Sequence, residues 1–385
     1  SLGLYEGGKL AASGAVVVTL NYRLGPLGFM AHPELSRESP RGVSGNYGLL
    51  DQLAALDWIR NNISGFGGDA GCVTLFGESA GAVSVCLLLA SPPAAGLFQR
   101  AIVESGPIWV EKGLPAASRP LEAAEATGRK LAGALGLDGG GNQLESLRAV
   151  DAGKLVGAAE AGDGLAGGGL QFGPAIDGLL LPGDPAGLIA AGEIHDLPVI
   201  VGANADEANL FLDGIVIDRD YYGEVLDMIS GGHASEMMEL FPLGEGKDAA
   251  PALSRLFTVT EFLAPARFLA GSFAHLHSDA YLYHFSRHAP GNPLGACHGS
   301  EIPYVFGNFD RTLGYGDADY RISRAVMSYW TEFARTGNPN REGLPAWPPY
   351  SRNEDRLLHF GDELSVVHNP CSDACDLAER IHLGG

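Results

Sequence analysis

The segment Gly77-Glu78-Ser79-Ala80-Gly81 matches G-x-S-x-G, a pattern that presents a serine hydroxyl on a sharp turn. A serine hydroxyl is a weak nucleophile until a base takes its proton, and the base in turn needs an acid to orient it. In a chain with 55 glycines among 385 residues the pentapeptide alone arises by chance, so its setting decides what it means. An apolar, β-branched run at 72–76 precedes it and an apolar helical run at 83–90 follows. Strand, turn and helix in that order hold Ser79 in a strained conformation at the carboxyl end of a sheet, close to the positive end of the helix. Small residues around Ser79 let strand and helix approach.

Of eleven histidines, His298 is the best placed base. It lies in Gly295-Ala296-Cys297-His298-Gly299, a loop past a strand at 280–285, where small neighbours leave an imidazole accessible. His275, His277, His284 and His288 are its rivals, but the first two precede that strand and His284 lies within it, where surface or core roles are expected. For the acid, the loop after a strand at 197–202 offers Asp206 and Glu207, and spacing does not choose between them. His284 and His288 sit at a strand exit and not on an H-E-x-x-H helix, so no zinc site is expected. The segment 162–167 fits G-x-G-x-x-G but follows no strand, so no dinucleotide site is expected either. No cofactor or metal is implied.

These residues need a scaffold. Further strands are predicted at 15–20 and 100–104, with helices at 49–62 and 322–335. The last is read as a terminal helix, stopped by Thr336-Gly337-Asn338-Pro339. Residues from about 112 to 170 alternate helical stretches with loose linkers such as 138–141. Strands alternating with helices over this length predict an α/β fold, a mostly parallel sheet with helices on both faces. An apolar share of 46% and a charged share of 18% suffice for a sizeable core. The net charge of −21 repels phosphate backbones and anionic membranes, which argues against nucleic-acid and polybasic-anchor functions. The longest apolar stretch, 80–98, is broken by Ser84, Ser91 and Pro92-Pro93, short of the ~20 residues of a membrane span. Five cysteines are too sparse for a disulfide scaffold; Cys371 and Cys375 either close a small loop in an oxidising compartment or remain free thiols, and the sequence leaves the compartment open. The chain opens without Met, in turn-like sequence, as though cut from something longer.

From Tyr22-Arg23-Leu24-Gly25-Pro26-Leu27-Gly28-Phe29 onward the chain resembles the type-B carboxylesterases, the family of the cholinesterases within the α/β-hydrolase fold. Further matching blocks are Gly45-Asn46-Tyr47-Gly48, Phe66-Gly67-Gly68-Asp69, the Ser79 pentapeptide and Gly202-Ala203-Asn204-Ala205-Asp206-Glu207. The run from His298 to Gly307 and Phe333-Ala334-Arg335-Thr336-Gly337-Asn338-Pro339 complete the series in the family's order. The resemblance implies Ser79 as nucleophile, Glu207 as acid and His298 as base, acting on a small-molecule ester through an acyl-enzyme. It implies the Ala80 backbone N–H as an oxyanion donor, a polar network of Glu78, Ser105 and Glu301 beneath the triad, and Phe172 near the acyl pocket. It also implies one domain over 1–385, with helical insertions at about 112–195 and 208–277 flanking an active-site gorge.

Two departures stand out. Ala208 occupies the position after the acid, where the family usually has Gly and where alanine restricts the loop. No His-Gly-Gly-Gly run supplies the remaining oxyanion donors. By resemblance, that loop and two or three strands are absent, one of them from inside the sheet beside residues 15–20, so this segment alone is expected to fold poorly or turn over slowly. The competing readings are a non-catalytic, cholinesterase-like binding protein, against which an intact triad argues, and amide or carbamate cleavage or acyl transfer by the same residues.

Overall fold

Runs of β-branched and aromatic residues pair into one sheet in a computed structural model that describes residues 3–109, 118–137, 143–160 and 169–383. Five strands run parallel: β1 Thr74–Glu78, β2 Arg100–Glu104, β3 Val199–Asn204, β4 Ala280–Phe285 and β5 Arg356–Phe360. β6, Leu364–His368, returns antiparallel to β5, and the strands lie side by side in chain order. Ala101, Val103, Val199 and Val201 point to one face, Ile102, Ile200, Tyr281 and Tyr283 to the other. Because both faces are covered, the inner strands read as continuous apolar runs without polar alternation.

Helices α1 Tyr47–Asn62, α2 Ala80–Leu89, α3 Ala250–Thr258 and α4 Ala264–Ser272 contribute to the first core. On the opposite face, α5 Asp317–Thr336 buries Ile322, Val326, Tyr329, Trp330 and Phe333. It starts where the Asp319 carboxylate takes the Gly316 N–H and stops at Gly337 in the left-handed conformation, φ 81°. The π-helical turn Val259–Leu263 joins α3 to α4.

Several elements depart from the sequence reading. Residues 15–20 form no strand among those described: Val16 is 44% and Val18 40% exposed, and β1 is the sheet's edge. β-branched composition yields a strand only when a ladder partner accepts its hydrogen bonds. β1 starts at Thr74 and β3 runs on to Asn204, so both extend almost to the chemical residues. Helix α5 is longer than predicted and is not terminal; β5, β6 and α6 Ser372–Leu383 follow it. Of the two states left open for Cys371 and Cys375, the structure has free thiols at the start of α6, where the Cys375 N–H donates to the Cys371 carbonyl at 2.8 Å. The segment 112–195 contains helices Leu121–Ala134, Gln143–Arg148, Ala152–Glu160 and Pro185–Ala190, plus the short parallel pair Arg119–Pro120 and Ala175–Ile176. Residues 162–167 and 138–141 lie outside the described residues. No helix among the described residues is long and apolar enough to cross a membrane.

The sheet carries one costly feature. Glu104, at the end of β2, is buried and accepts the Trp330 indole N–H at 2.6 Å. Burial raises its carboxyl from 4.5 to about 8, against the lowering effect of that hydrogen bond, with Glu78 adding to the rise. Between those values the unfolded chain binds fewer protons than the native one, so this group lowers stability as pH rises. Glu104→Gln keeps the acceptor and removes the ionisation. We expect its Tm in thermal melts to exceed wild type by about 2 °C or more at pH 8, with the gap closing at pH 5; equal melting at both pH values would refute this account.

Candidate active site

The turn between β1 and α2 holds Ser79 at φ 56° and ψ −121°, a conformation rarely open to residues with a Cβ. Neighbouring backbone over-determines it: the Ser79 N–H donates to the Glu104 carbonyl, and its own carbonyl accepts from Val83 N–H, each at 2.9 Å. Gly77 is required by proximity, since a Cβ there would sit 2.5 Å from the Gly81 carbonyl carbon. Ala80 opens α2 and is exposed, so its N–H is among those that no helical carbonyl can reach.

Glu207 lies three residues past β3, fully buried. Its Oε1 accepts the Asn204 N–H at 2.7 Å and the Ser105 hydroxyl at 2.5 Å, while Oε2 meets His298 Nδ1 at 2.6 Å. Asp206 turns elsewhere, accepting the Ala296 N–H at 2.9 Å and pairing with His288 at 3.0 Å. Geometry therefore distinguishes two carboxylates that spacing left equivalent. Ala208 is buried and does not adopt positive φ, so alanine is accommodated where the resemblance raised a question. Of the rival histidines, His275 and His277 are exposed, His284 is buried in β4, and His288 stays with Asp206.

The other ring nitrogen of His298 faces Ser79's neighbour. Nε2 lies 3.2 Å from Glu78 Oε1 and has no hydrogen-bond partner, so the Ser79 hydroxyl is not bonded to it in this structure. Catalytic hydrogen bonds of ligand-free enzymes are often long and tighten on binding. Phe211 and Phe262, stacked parallel to each other, each place a ring centroid 5.1 Å from the His298 ring. Composition gave no hint of this pair, which comes from two segments 51 positions apart (262 − 211).

The expected network of Glu78, Ser105 and Glu301 forms in pieces. Ser105, itself at φ 54°, bonds Glu207 directly, whereas Glu301 Oε2 accepts the Asn204 side-chain amide at 2.5 Å. Asn204 also donates to the Cys297 carbonyl at 3.0 Å, linking the acid loop to the histidine loop, a role sequence reasoning missed. Phe172 is half-buried and packs between the main core and a satellite cluster around Met30, Leu131 and Leu147. Among the described residues, no group of three or more His, Cys, Asp or Glu is arranged to hold a metal ion.

Buried carboxylates set the electrostatics. Desolvation raises Glu78 from 4.5 to about 7, with His298 opposing and Glu207 reinforcing the shift. Burial would lower the His298 ring, but the Glu207 hydrogen bond and charge, with Glu78 behind them, reverse this and raise it above 6.5. The base form of His298 is lost as pH falls through that raised value, so the acid limb of kcat/KM is expected above pH 6.5. Its apparent value belongs to the coupled Glu78–His298 pair. Removing one negative charge with Glu78→Gln should move that limb to lower pH. A pH–rate profile unmoved by the substitution would contradict the assignment.

A model of the carboxylesterase family matches residues 1–378. Fumonisin B1 esterase of Sphingopyxis macrogoltabida is 36% identical over 379 residues, covering 94% of this chain and 66% of that protein. Para-nitrobenzyl esterase of Bacillus subtilis is 37% identical over 387 residues, 96% of this chain and 74% of that one. A solved PNB esterase superposes with a TM-score of 0.81 at 35% identity, over 97% of this chain and 77% of its own. The likeness extends from one end of the chain to the other, and the chain belongs to the carboxylesterase family.

Proposed function

We propose that the protein hydrolyses small carboxylic esters through an acyl-enzyme on Ser79, with His298 as general base and acid and Glu207 orienting it. The 2.6 Å contact between His298 Nδ1 and the buried Glu207 carboxylate carries this reading, because it fixes the tautomer that leaves Nε2 as the proton acceptor. With Nδ1 held, Nε2 must turn from Glu78 to the Ser79 hydroxyl when the site closes on substrate. Nε2 removes the Oγ proton as Oγ attacks the ester carbonyl, and the oxyanion forms against the Ala80 N–H. The imidazolium then protonates the departing alkoxide. Water, deprotonated by the same nitrogen, attacks the acyl carbon and releases the acid, restoring Ser79. Phe211 and Phe262 present apolar surface beside the ring and support preference for apolar ester groups; the family resemblance assigns Phe172 to the acyl side.

Hydrolysis of p-nitrophenyl acetate and butyrate tests the reading. Ser79→Ala is expected to lower kcat by about 10⁴-fold or more, and Glu207→Gln by about 10³-fold or more through loss of the correct tautomer. A Ser79→Ala protein that turns over like wild type would sink the acyl-enzyme route. An intact protein inert towards the ester panel would favour a binding function, and products formed with added alcohol acceptors would favour acyl transfer.

A further inference from the structure

The catalytic acid does not sit on a strand. Glu207 opens a single 3₁₀ turn, Glu207–Asn209, and an isolated turn of that kind has too few internal bonds to hold a side chain to a few tenths of an ångström. Its carboxylate is held by Ser105, Asn204 and His298, and the turn itself is further supported by α3, a helix that contributes no catalytic residue. Ser254 and Thr258 lie four residues apart on one face of α3, and both are buried. Thr258 Oγ1 accepts the Ala208 N–H at 3.1 Å, and the Ser254 hydroxyl donates to Asn209 Oδ1 at 2.5 Å. The Asn209 amide is used at both ends, since its Nδ2 donates to the Leu294 carbonyl at 3.0 Å, four residues before His298. The chain Ser254–Asn209–Leu294 therefore runs from a rigid helix through the acid's turn into the base's loop. Directly after Thr258, the π-helical turn delivers Phe262 to the face of His298.

We propose that Asn209, oriented by Ser254 and seconded by Thr258, is a positioning residue that sets the Glu207–His298 distance by tying the acid turn and the histidine loop to one face of α3. The inference rests on the triad reading above. None of the three side chains touches the reacting atoms; they act through Glu207. Asn209 supplies both functions because a carboxamide alone among side chains of this size presents an acceptor and a donor in one rigid plane. Leucine has the same shape and neither function, and aspartate keeps only the acceptor.

The charged groups facing His298 are Glu207 and Glu78, and its remaining flanks are Phe211 and Phe262. Slackening the Glu207 contact therefore has a signature that mere destabilisation lacks. For Asn209→Leu, assayed well below its Tm with p-nitrophenyl butyrate, kcat should fall about ten-fold or more with KM within two-fold, and the acid limb of kcat/KM should move to lower pH. Thr258→Val should change both in the same direction, with Thr258→Ser restoring them. Ser254→Ala combined with Asn209→Leu should lose no more than Asn209→Leu alone, because Ser254 acts through that amide. The downfield proton resonance of the His298 Nδ1–H, read by NMR without turnover, should broaden or move upfield in Asn209→Leu. A lower Tm with kcat, pH profile and resonance all unchanged would overturn the proposal while leaving the triad intact. Turnover surviving Ser79→Ala would instead overturn the triad reading itself.

Discussion

A buried carboxylate is the constraint on which the rest depends. Leaving a charge unpaired in a protein interior destabilises by about 3–5 kcal/mol, so Glu207 can exist only where donors converge. Those donors come from three separate parts of the chain: the Ser105 hydroxyl beyond β2, the Asn204 N–H at the end of β3, and His298 Nδ1 beyond β4. The parallel register that pairs Glu104 with Gly202 and Asn204 with Phe285 is what brings these strand ends level. Satisfying one carboxylate thus fixes the relative position of three loops, and the His298 ring is oriented by the same bonds.

Around that point the molecule accepts local penalties. Ser79 and Ser105 both occupy positive φ, and the half-buried Glu78 and the fully buried Glu104 and Glu301 have their carboxyls pushed above the ordinary range by desolvation. Such departures from local preference persist when the surrounding structure over-determines them, and they gather where chemistry is done. Here the compensation is a sheet buried on both faces and a second core in which Tyr281, Tyr329, Trp330, Trp347 and Phe360 pack edge to face.

The similarity to esterases and the geometry answer different questions. Membership of the carboxylesterase family rests on likeness along the whole chain. What this chain does with that inheritance is written in its own contacts: Ala208 in an ordinary conformation, an Asn209 amide spanning two loops, and a π turn that sets an aromatic pair beside His298.

The amino-acid sequence determined the elbow, because a serine between small residues at a strand–helix junction has few conformations open to it. It determined the inner strands as well: β2 and β4 run over the residues their composition marks, since a strand buried on both faces reads as a near-continuous apolar run. Residues 15–20 show the limit of that logic, being strand-like in composition and yet outside any ladder. Short or mixed runs such as Arg356–Phe360 and Leu364–His368 carried too little pattern to be read. Between Asp206 and Glu207 spacing was silent and the resemblance pointed to Glu207; the folded chain then sets that residue, and not its neighbour, against His298. Only the tertiary structure gave the partners of each group, such as Asn209 with Leu294, Thr258 with Ala208 and Glu78 with His298. The reason is physical: type and spacing constrain what a residue can do locally, whereas which donor meets which acceptor across tens of residues is set by sheet register and helix packing.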